Sequence, residues 1–177
     1  MKYFLDLPDY FKNFINHKND IDKLIDNKSE HNWMYFPTTY FVNDEGFNWF
    51  RSRNLQILKV CLLFNSPKLI DTYENIHIDT MNNDNLNNYA INYVLLGSGE
   101  MQWVKIDGTP EIREMNSSYF YGYKNTQSVE ILDKWSGSIG LVKINIPHRV
   151  VTTDSRRICL SLRFHKKCSL EDFEKFL

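Results

Sequence analysis

Cysteine is scarce in this chain of 177 residues: there are three, Cys61, Cys159 and Cys168, and no two stand in a CxxC pair. An odd, scattered set of thiols excludes a disulfide framework and a zinc knuckle. All three are expected to be reduced, with Cys61 and Cys159 inside strands, since a free thiol packs as a small hydrophobe. Long apolar runs are also missing. The stretch Val60-Cys61-Leu62-Leu63-Phe64 is far shorter than the roughly 20 residues that a membrane helix needs, so no membrane association is expected. The start of the chain, Met1-Lys2-Tyr3-Phe4-Leu5-Asp6, meets an acid and then Pro8 before a signal-peptide core can form, and a cytoplasmic location is expected. Charge of one sign is lacking too. Lys and Arg number 21 against 22 Asp and Glu, interspersed, so there is no basic stripe to follow a phosphate backbone and nucleic acid is not an expected partner.

What is present is a folding composition. Hydrophobic residues make up 42% and aromatics 15%, far from the signature of disorder, and the length suits one domain over residues 1–177. Neither a repeat nor a dividing linker shows. Leu7, Tyr10, Phe11, Phe14 and Ile15 line one face of a helix that Pro8 and Asp9 can open. Ile21, Leu24 and Ile25 form a second short helical pattern, and both helices should lie against something flatter.

That flatter part begins with a branched run at 55–64. It continues as short apolar segments punctuated by Gly, Asn, Asp and Pro, giving expected strands at 73–79, 89–96, 101–106, 118–122, 128–132, 139–146 and 157–164. Strands at this spacing point to a sandwich or barrel. The stretch 80–88, with five asparagines, reads as a polar loop. Ser169-Leu170-Glu171-Asp172 resembles a capping box that opens a short closing helix carrying Leu170, Phe173 and Leu177.

The chemistry concentrates around Tyr73-Glu74-Asn75-Ile76-His77-Ile78-Asp79. Alternate side chains of a strand share a face, so His77 and Asp79 point together and can grip one ion, while Ile76 and Ile78 point to the core. A third ligand must come from elsewhere. Of the five histidines, His148 follows Pro147 just past the 139–146 strand, where it can cap the same mouth. Two His and one carboxylate on one face leave coordination positions open, the arrangement that suits non-haem Fe(II) oxygenases. Those positions can take a bidentate cosubstrate and dioxygen. Nine residues after His148, Arg157 opens a strictly alternating strand: Arg157, Cys159, Ser161 and Arg163 share one face, and Ile158, Leu160, Leu162 and Phe164 the other. A guanidinium stays charged when desolvated and pairs with a carboxylate through two parallel hydrogen bonds. Arg163 is the rival for that role; Arg157 is preferred as lying nearer the metal end of its strand, with Arg163 approaching the opposite end in a salt bridge.

HxD, then His, then Arg nine residues on resembles the motif of the Fe(II)/2-oxoglutarate-dependent dioxygenases over roughly residues 73–164, and Pro147-His148-Arg149-Val150 with the Arg157 strand is similar to the distal half of the prolyl-hydroxylase branch. The resemblance implies His77, Asp79 and His148 as iron ligands and Arg157 as the seat of the far carboxylate of 2-oxoglutarate. It implies a mainly β fold, a double-stranded β-helix or jelly roll of cupin-like form, with N-terminal helices buttressing one sheet. It also implies an oxygenase that hydroxylates a small molecule or a peptidyl side chain. Two departures stand out. Cys159 occupies the position where some branches carry Ser, and the Tyr that prolyl hydroxylases supply from the strand after HxD has no fixed counterpart. Tyr93 ranks first for that second carboxylate contact, with Asn92 and Ser161 as alternatives. Arg149 can reach a substrate anion or sit in solvent. His17, His31 and His165 read as surface or structural residues, and Trp33, Trp49, Trp103 and Trp135 as core or rim aromatics. The alternative function is a cupin-like jelly roll that binds a metal without redox chemistry.

Overall fold

The computed structural model describes residues 2–16, 33–65, 75–79, 88–115, 118–124, 126–152, 156–165 and 168–177. The helical pattern at Ile21, Leu24 and Ile25, His17, His31, the start of the 73–79 segment and the 80–88 loop up to Asn87 lie outside the described residues.

The chain is mainly β. Strand β1 (Phe4–Asp6) precedes a 3-10 helix (Asp9–Phe14) whose entry is set by Pro8. The α-helix expected here is this tighter form. At three residues per turn, Phe11 and Phe14 eclipse and enter the core on one face, and both are buried. Strand β2 (Trp33–Phe36), a single-turn helix α1 (Thr38–Phe41) and helix α2 (Asp44–Ser52) were not expected from the sequence. Helix α2 is opened by Asn43, whose side chain accepts the Gly46 N–H at 2.8 Å, and Asp44 and Glu45 fill its first turn, where the helix dipole favours acids. Then follow β3 (Ile57–Asn65), β4 (Tyr89–Leu96), β5 (Glu100–Ile106), the hairpin β6 (Thr109–Met115) and β7 (Ser118–Lys124), β8 (Val129–Trp135), β9 (Ile139–Lys143), β10 (His148–Val151) and β11 (Arg157–Phe164). Helix α3 (Leu170–Glu174) closes the chain behind a true capping box, in which Ser169 and Asp172 each accept from the other's backbone N–H.

The strands pair antiparallel as a six-stranded sheet ordered β1-β9-β4-β11-β3-β2, a three-stranded sheet β10-β5-β8 and the hairpin β6-β7, and no sheet closes on itself. Residues 75–79 make two isolated bridges, His77 with His148 and Ile78 with Tyr121. They are not the regular strand expected at 73–79, yet they stitch β10 of the three-stranded sheet to β7 of the hairpin.

The six-stranded sheet is packed on both sides. On one face Ile91, Leu141, Leu160 and Leu162 pack with Phe11, Phe14, Phe41, Phe50 and Phe173 from the helical segments. The N-terminal helices do buttress this sheet. On the other face Ala90 and Val142 meet Met101, Trp103 and Trp135 of the three-stranded sheet. Tyr3 and Phe4 stack on Trp103 at 5.6 and 5.7 Å between ring centres. The Trp103 indole donates to the Lys143 carbonyl at 2.7 Å, so its one polar group is satisfied in the core. The three cysteines are free and buried. No described helix is long and apolar enough to cross a membrane.

Candidate metal centre

The HxD segment is clamped by backbone on both sides. His77 and His148 exchange both N–H···O bonds at 2.9 Å, and Ile78 does the same with Tyr121 at 2.9 and 3.1 Å. The Asp79 N–H then turns to the Ile144 carbonyl at 3.1 Å. Directly opposed residues of an antiparallel pair project to the same side, so the two imidazoles meet, 4.5 Å apart between ring centres. His148 therefore begins a strand of its own, β10, whereas the sequence placed it just past one. That pairing is what aims it at His77.

Each ring is oriented by its own backbone. His77 Nδ1 lies 2.8 Å from the Asn75 carbonyl oxygen, and His148 Nδ1 lies 2.8 Å from that of Ile146. A carbonyl only accepts, so each Nδ1 carries a proton, and in the neutral ring each Nε2 presents a lone pair. Those lone pairs converge on a carboxylate: His77 Nε2 is 3.3 Å from Asp79 Oδ1, and His148 Nε2 is 3.9 Å from Asp79 Oδ2. The three ligand atoms lie within 4.8 Å of one another. Two atoms bound at right angles about 2.1 Å from one ion would stand about 3 Å apart, so small side-chain adjustments suffice. Electron pairs facing each other at these distances repel unless a proton or a metal ion sits between them. The group can hold a metal ion.

Protonation favours that at Asp79 and His148, while at His77 a proton competes with a metal. Burial works to raise Asp79, but the Arg163 guanidinium and the two histidines hold its carboxyl well below the usual carboxylate range. Burial, then the neighbouring His77, push His148 down to about 4, so it is neutral at pH 7. For His77 burial acts downward, and the bond and charge of Asp79 outweigh it and raise the ring.

No protein-family model matches the chain, and no curated protein does.

Arg163 corrects one expectation. Its Nη1 donates to Asp79 Oδ2 at 2.7 Å, so the C-terminal half of β11, and not the Arg157 end, carries the metal group. Arg163 is the only described cation paired with Asp79 other than the two histidines. Arg157 lies six positions away on the same face, roughly 20 Å along an extended strand.

Arg157 is nevertheless the more suggestive of the two. It is 1% exposed, and its Nη1 makes a long bond of 3.3 Å to Asn65 Oδ1. Its Nε has no hydrogen-bond partner, and among the described residues no carboxylate lies within ion-pair distance. Gly99 makes room for its stem, since an added Cβ would stand 2.7 Å from Arg157 Cδ and 2.9 Å from Thr152 Cγ2. The Thr152 hydroxyl beside it is also buried without a partner. Two orphaned polar groups flank this one glycine, a cluster that sequence reasoning caught only in part. Thr152 stands at the exit of β10 and carried no motif.

Of the residues considered for the second carboxylate contact, Tyr93 is placed on the wrong face. It sits opposite Leu160 in register and packs with the helix-facing core, whereas Arg157 faces the other way. Asn92 and Ser161 do share the Arg157 face and are both buried, and the Ser161 hydroxyl donates to Asn92 Oδ1 at 2.6 Å. Cys159, in the position after Arg157 on that face, lies within hydrogen-bonding reach of its guanidinium. Arg149 points to the opposite side from His148 and donates to Gln102 Oε1 at 2.9 Å. His165 is exposed. Trp103 and Trp135 are core residues, and Trp49 packs against the helix-side core.

Beside the metal-ligand group stand residues that no motif marked. Phe120 of β7 meets His77 edge-on at 6.0 Å, and Trp33 of β2 meets Phe120 at 5.9 Å. Lys59 of β3 stands directly opposite Arg163 and lies over the Tyr35 ring, 3.9 Å from its centre.

Proposed function

We propose that the chain is an Fe(II)- and 2-oxoglutarate-dependent oxygenase that hydroxylates a small molecule or a peptidyl side chain. The observation that carries this reading is the pairing, in one cup, of a two-histidine, one-carboxylate ligand set with a buried guanidinium that lacks an anion among the described residues. The donor set suits Fe(II) with open positions. The strand order supports a double-stranded β-helix: β3, β4, β9 and β11 lie in one sheet, while the 77–78 bridges, β5, β8 and β10 lie against it. Strands thus alternate between two layers, except that β5 and β8, on either side of the inserted β6-β7 hairpin, share one.

When bound, Fe(II) supplies dioxygen activation coupled to oxidative decarboxylation of 2-oxoglutarate to succinate and carbon dioxide. The protein's own residues bind and orient. His77 and His148 offer fixed Nε2 lone pairs, and Asp79 offers Oδ1 while Arg163 holds Oδ2. Arg157 would take the far carboxylate, and the Thr152 hydroxyl replaces Tyr93 as the second donor to it. Phe120 packs against His77 and Trp33 against Phe120, beside the ligand set. The alternative, a metal-binding jelly roll without a cosubstrate, leaves the Arg157 and Thr152 orphans unexplained.

The test is an anaerobic titration with Fe(II) and then 2-oxoglutarate, followed by the weak visible charge-transfer band of such ternary complexes. A band that appears in the wild type and is absent in His77→Ala and Asp79→Ala is expected. Its absence in the wild type, with metal bound, would remove the oxygenase reading and leave the metal site.

A further inference from the structure

Lys59 and Arg163 are exact neighbours across the β3-β11 ladder, and both face the cup with Cys61 and Ser161. Like charges directly opposite on neighbouring strands oppose folding. Among the described residues only one of the two has a carboxylate partner. Arg163 reaches Asp79, which uses one of the five N–H donors of a guanidinium. The Lys59 ammonium has an aromatic face, Tyr35, in place of a counter-ion, and among the described residues no carboxylate comes within ion-pair distance of it. Burial, then the Arg163 charge, bring the ammonium down to about 8, so the pair is held at a cost.

Metal binding sharpens the imbalance. A divalent ion would join Lys59 and Arg163 against the single negative charge of Asp79. A dicarboxylate cosubstrate compensates only in part, because its far end is matched by Arg157. The mouth remains cationic, and a site of one sign between low-dielectric walls concentrates ions of the other. Those walls are Tyr35, Trp33 and Phe120.

We propose that Lys59 and Arg163 form the receptor for an anionic group of the primary substrate, a carboxylate or a phosphate borne on a flat apolar body. This rests on the oxygenase reading for its word "substrate", but the receptor itself needs only the metal group. Charge-assisted bonds from ammonium and guanidinium would fix the anion beside the ion. Tyr35 and Trp33 would flank the body, and the bond to be attacked would face the open coordination positions.

The experiment uses the full chain loaded with Mn(II), a redox-silent probe, and titrates benzoate, phenyl phosphate and the neutral benzyl alcohol calorimetrically, with and without 2-oxoglutarate. At least one anion should bind about tenfold or more tighter than the alcohol. Lys59→Gln should erase that preference and Lys59→Arg should keep it. Lys59→Gln should also melt no lower than the wild type, since it removes one of two apposed cations, and its 2-oxoglutarate affinity should stay within about twofold. Equal binding of anions and alcohol, no binding of either, or a preference that survives Lys59→Gln overturns the proposal. So does loss of 2-oxoglutarate affinity in Lys59→Gln with retention in Arg157→Met, which would make the pair the cosubstrate's seat. If 2-oxoglutarate does not bind at all but the Lys59-dependent preference persists, the oxygenase reading falls and the anion receptor stands.

Discussion

Replacing Arg157 by Met separates a binding role from a structural one, because the two roles predict opposite signs. In the protein without cosubstrate, Arg157 is a cation 1% exposed, held among the described residues by a long bond of 3.3 Å and by the Cys159 thiol, with its Nε unpartnered. An unsatisfied buried donor costs about 1–3 kcal/mol, and exchanging buried charge for a packed apolar chain of similar volume is often neutral or stabilising. Arg157→Met should therefore leave stability unchanged or raise it by about 1 kcal/mol, a shift of about 2–4 °C in Tm for a chain of this size. Cosubstrate binding should move the other way. Two charge-assisted bonds to one carboxylate are worth about 3 kcal/mol together, so the 2-oxoglutarate Kd should rise about a hundredfold while metal affinity holds. Differential scanning calorimetry and titration of the Mn(II)-loaded protein read the two quantities separately. A variant that unfolds several degrees lower yet binds 2-oxoglutarate as before would refute the reasoning, because Arg157 would then be a structural cation.

Asp79→Ala should abolish Mn(II) binding and also destabilise the fold by about 3 kcal/mol, since it strands Arg163 as a buried unpaired charge; His77→Ala should lose the metal with a smaller loss of stability, and equal melting of the two variants would contradict this. The pH dependence follows from the two rings. His148, whose pKa in the fold is about 4, remains neutral while the unfolded chain takes up its proton, so its contribution to stability is present above the ordinary imidazole value and is lost as pH falls toward about 4. Asp79, lowered well below its ordinary value, adds stability that is lost only at still more acidic pH. His77 is raised, so it alone should compete with the metal as pH falls below the ordinary imidazole value toward about 5. Mn(II) affinity should then fall tenfold per pH unit, and a hundredfold fall would show that both rings titrate together. At the C-terminus, Ser169→Ala removes the side chain that accepts the Asp172 N–H and should cost about 1 kcal/mol in thermal unfolding, with no change in metal affinity.

Much of the site was legible because it depends on short-range geometry. A period of two put His77 with Asp79, and Arg157 with Ser161 and Arg163, and these groupings hold. The span of β11 and the capping box at Ser169 were readable for the same reason. Helix α2 left a trace in Asn43-Asp44-Glu45, a cap followed by two acids, that could have been read. Tyr93 could not be oriented from its own strand: Tyr89, Ala90, Ile91 and Asn92 are all buried, so β4, covered on both faces, shows no alternation to tell inside from outside.

Alternation along a strand is a property of the local backbone, and so the amino-acid order by itself determined which side chains travel together: the HxD pair, the Arg157 face and the apolar face behind it. Which groups meet across strands is decided by contacts between residues far apart in the chain. Only the tertiary structure placed His148 opposite His77, set the candidate metal-ligand group at the Arg163 end of β11, and brought Lys59, with Tyr35, alongside Arg163. Pairing register and the facing of one sheet on another arise from packing the whole core, and no local pattern encodes them.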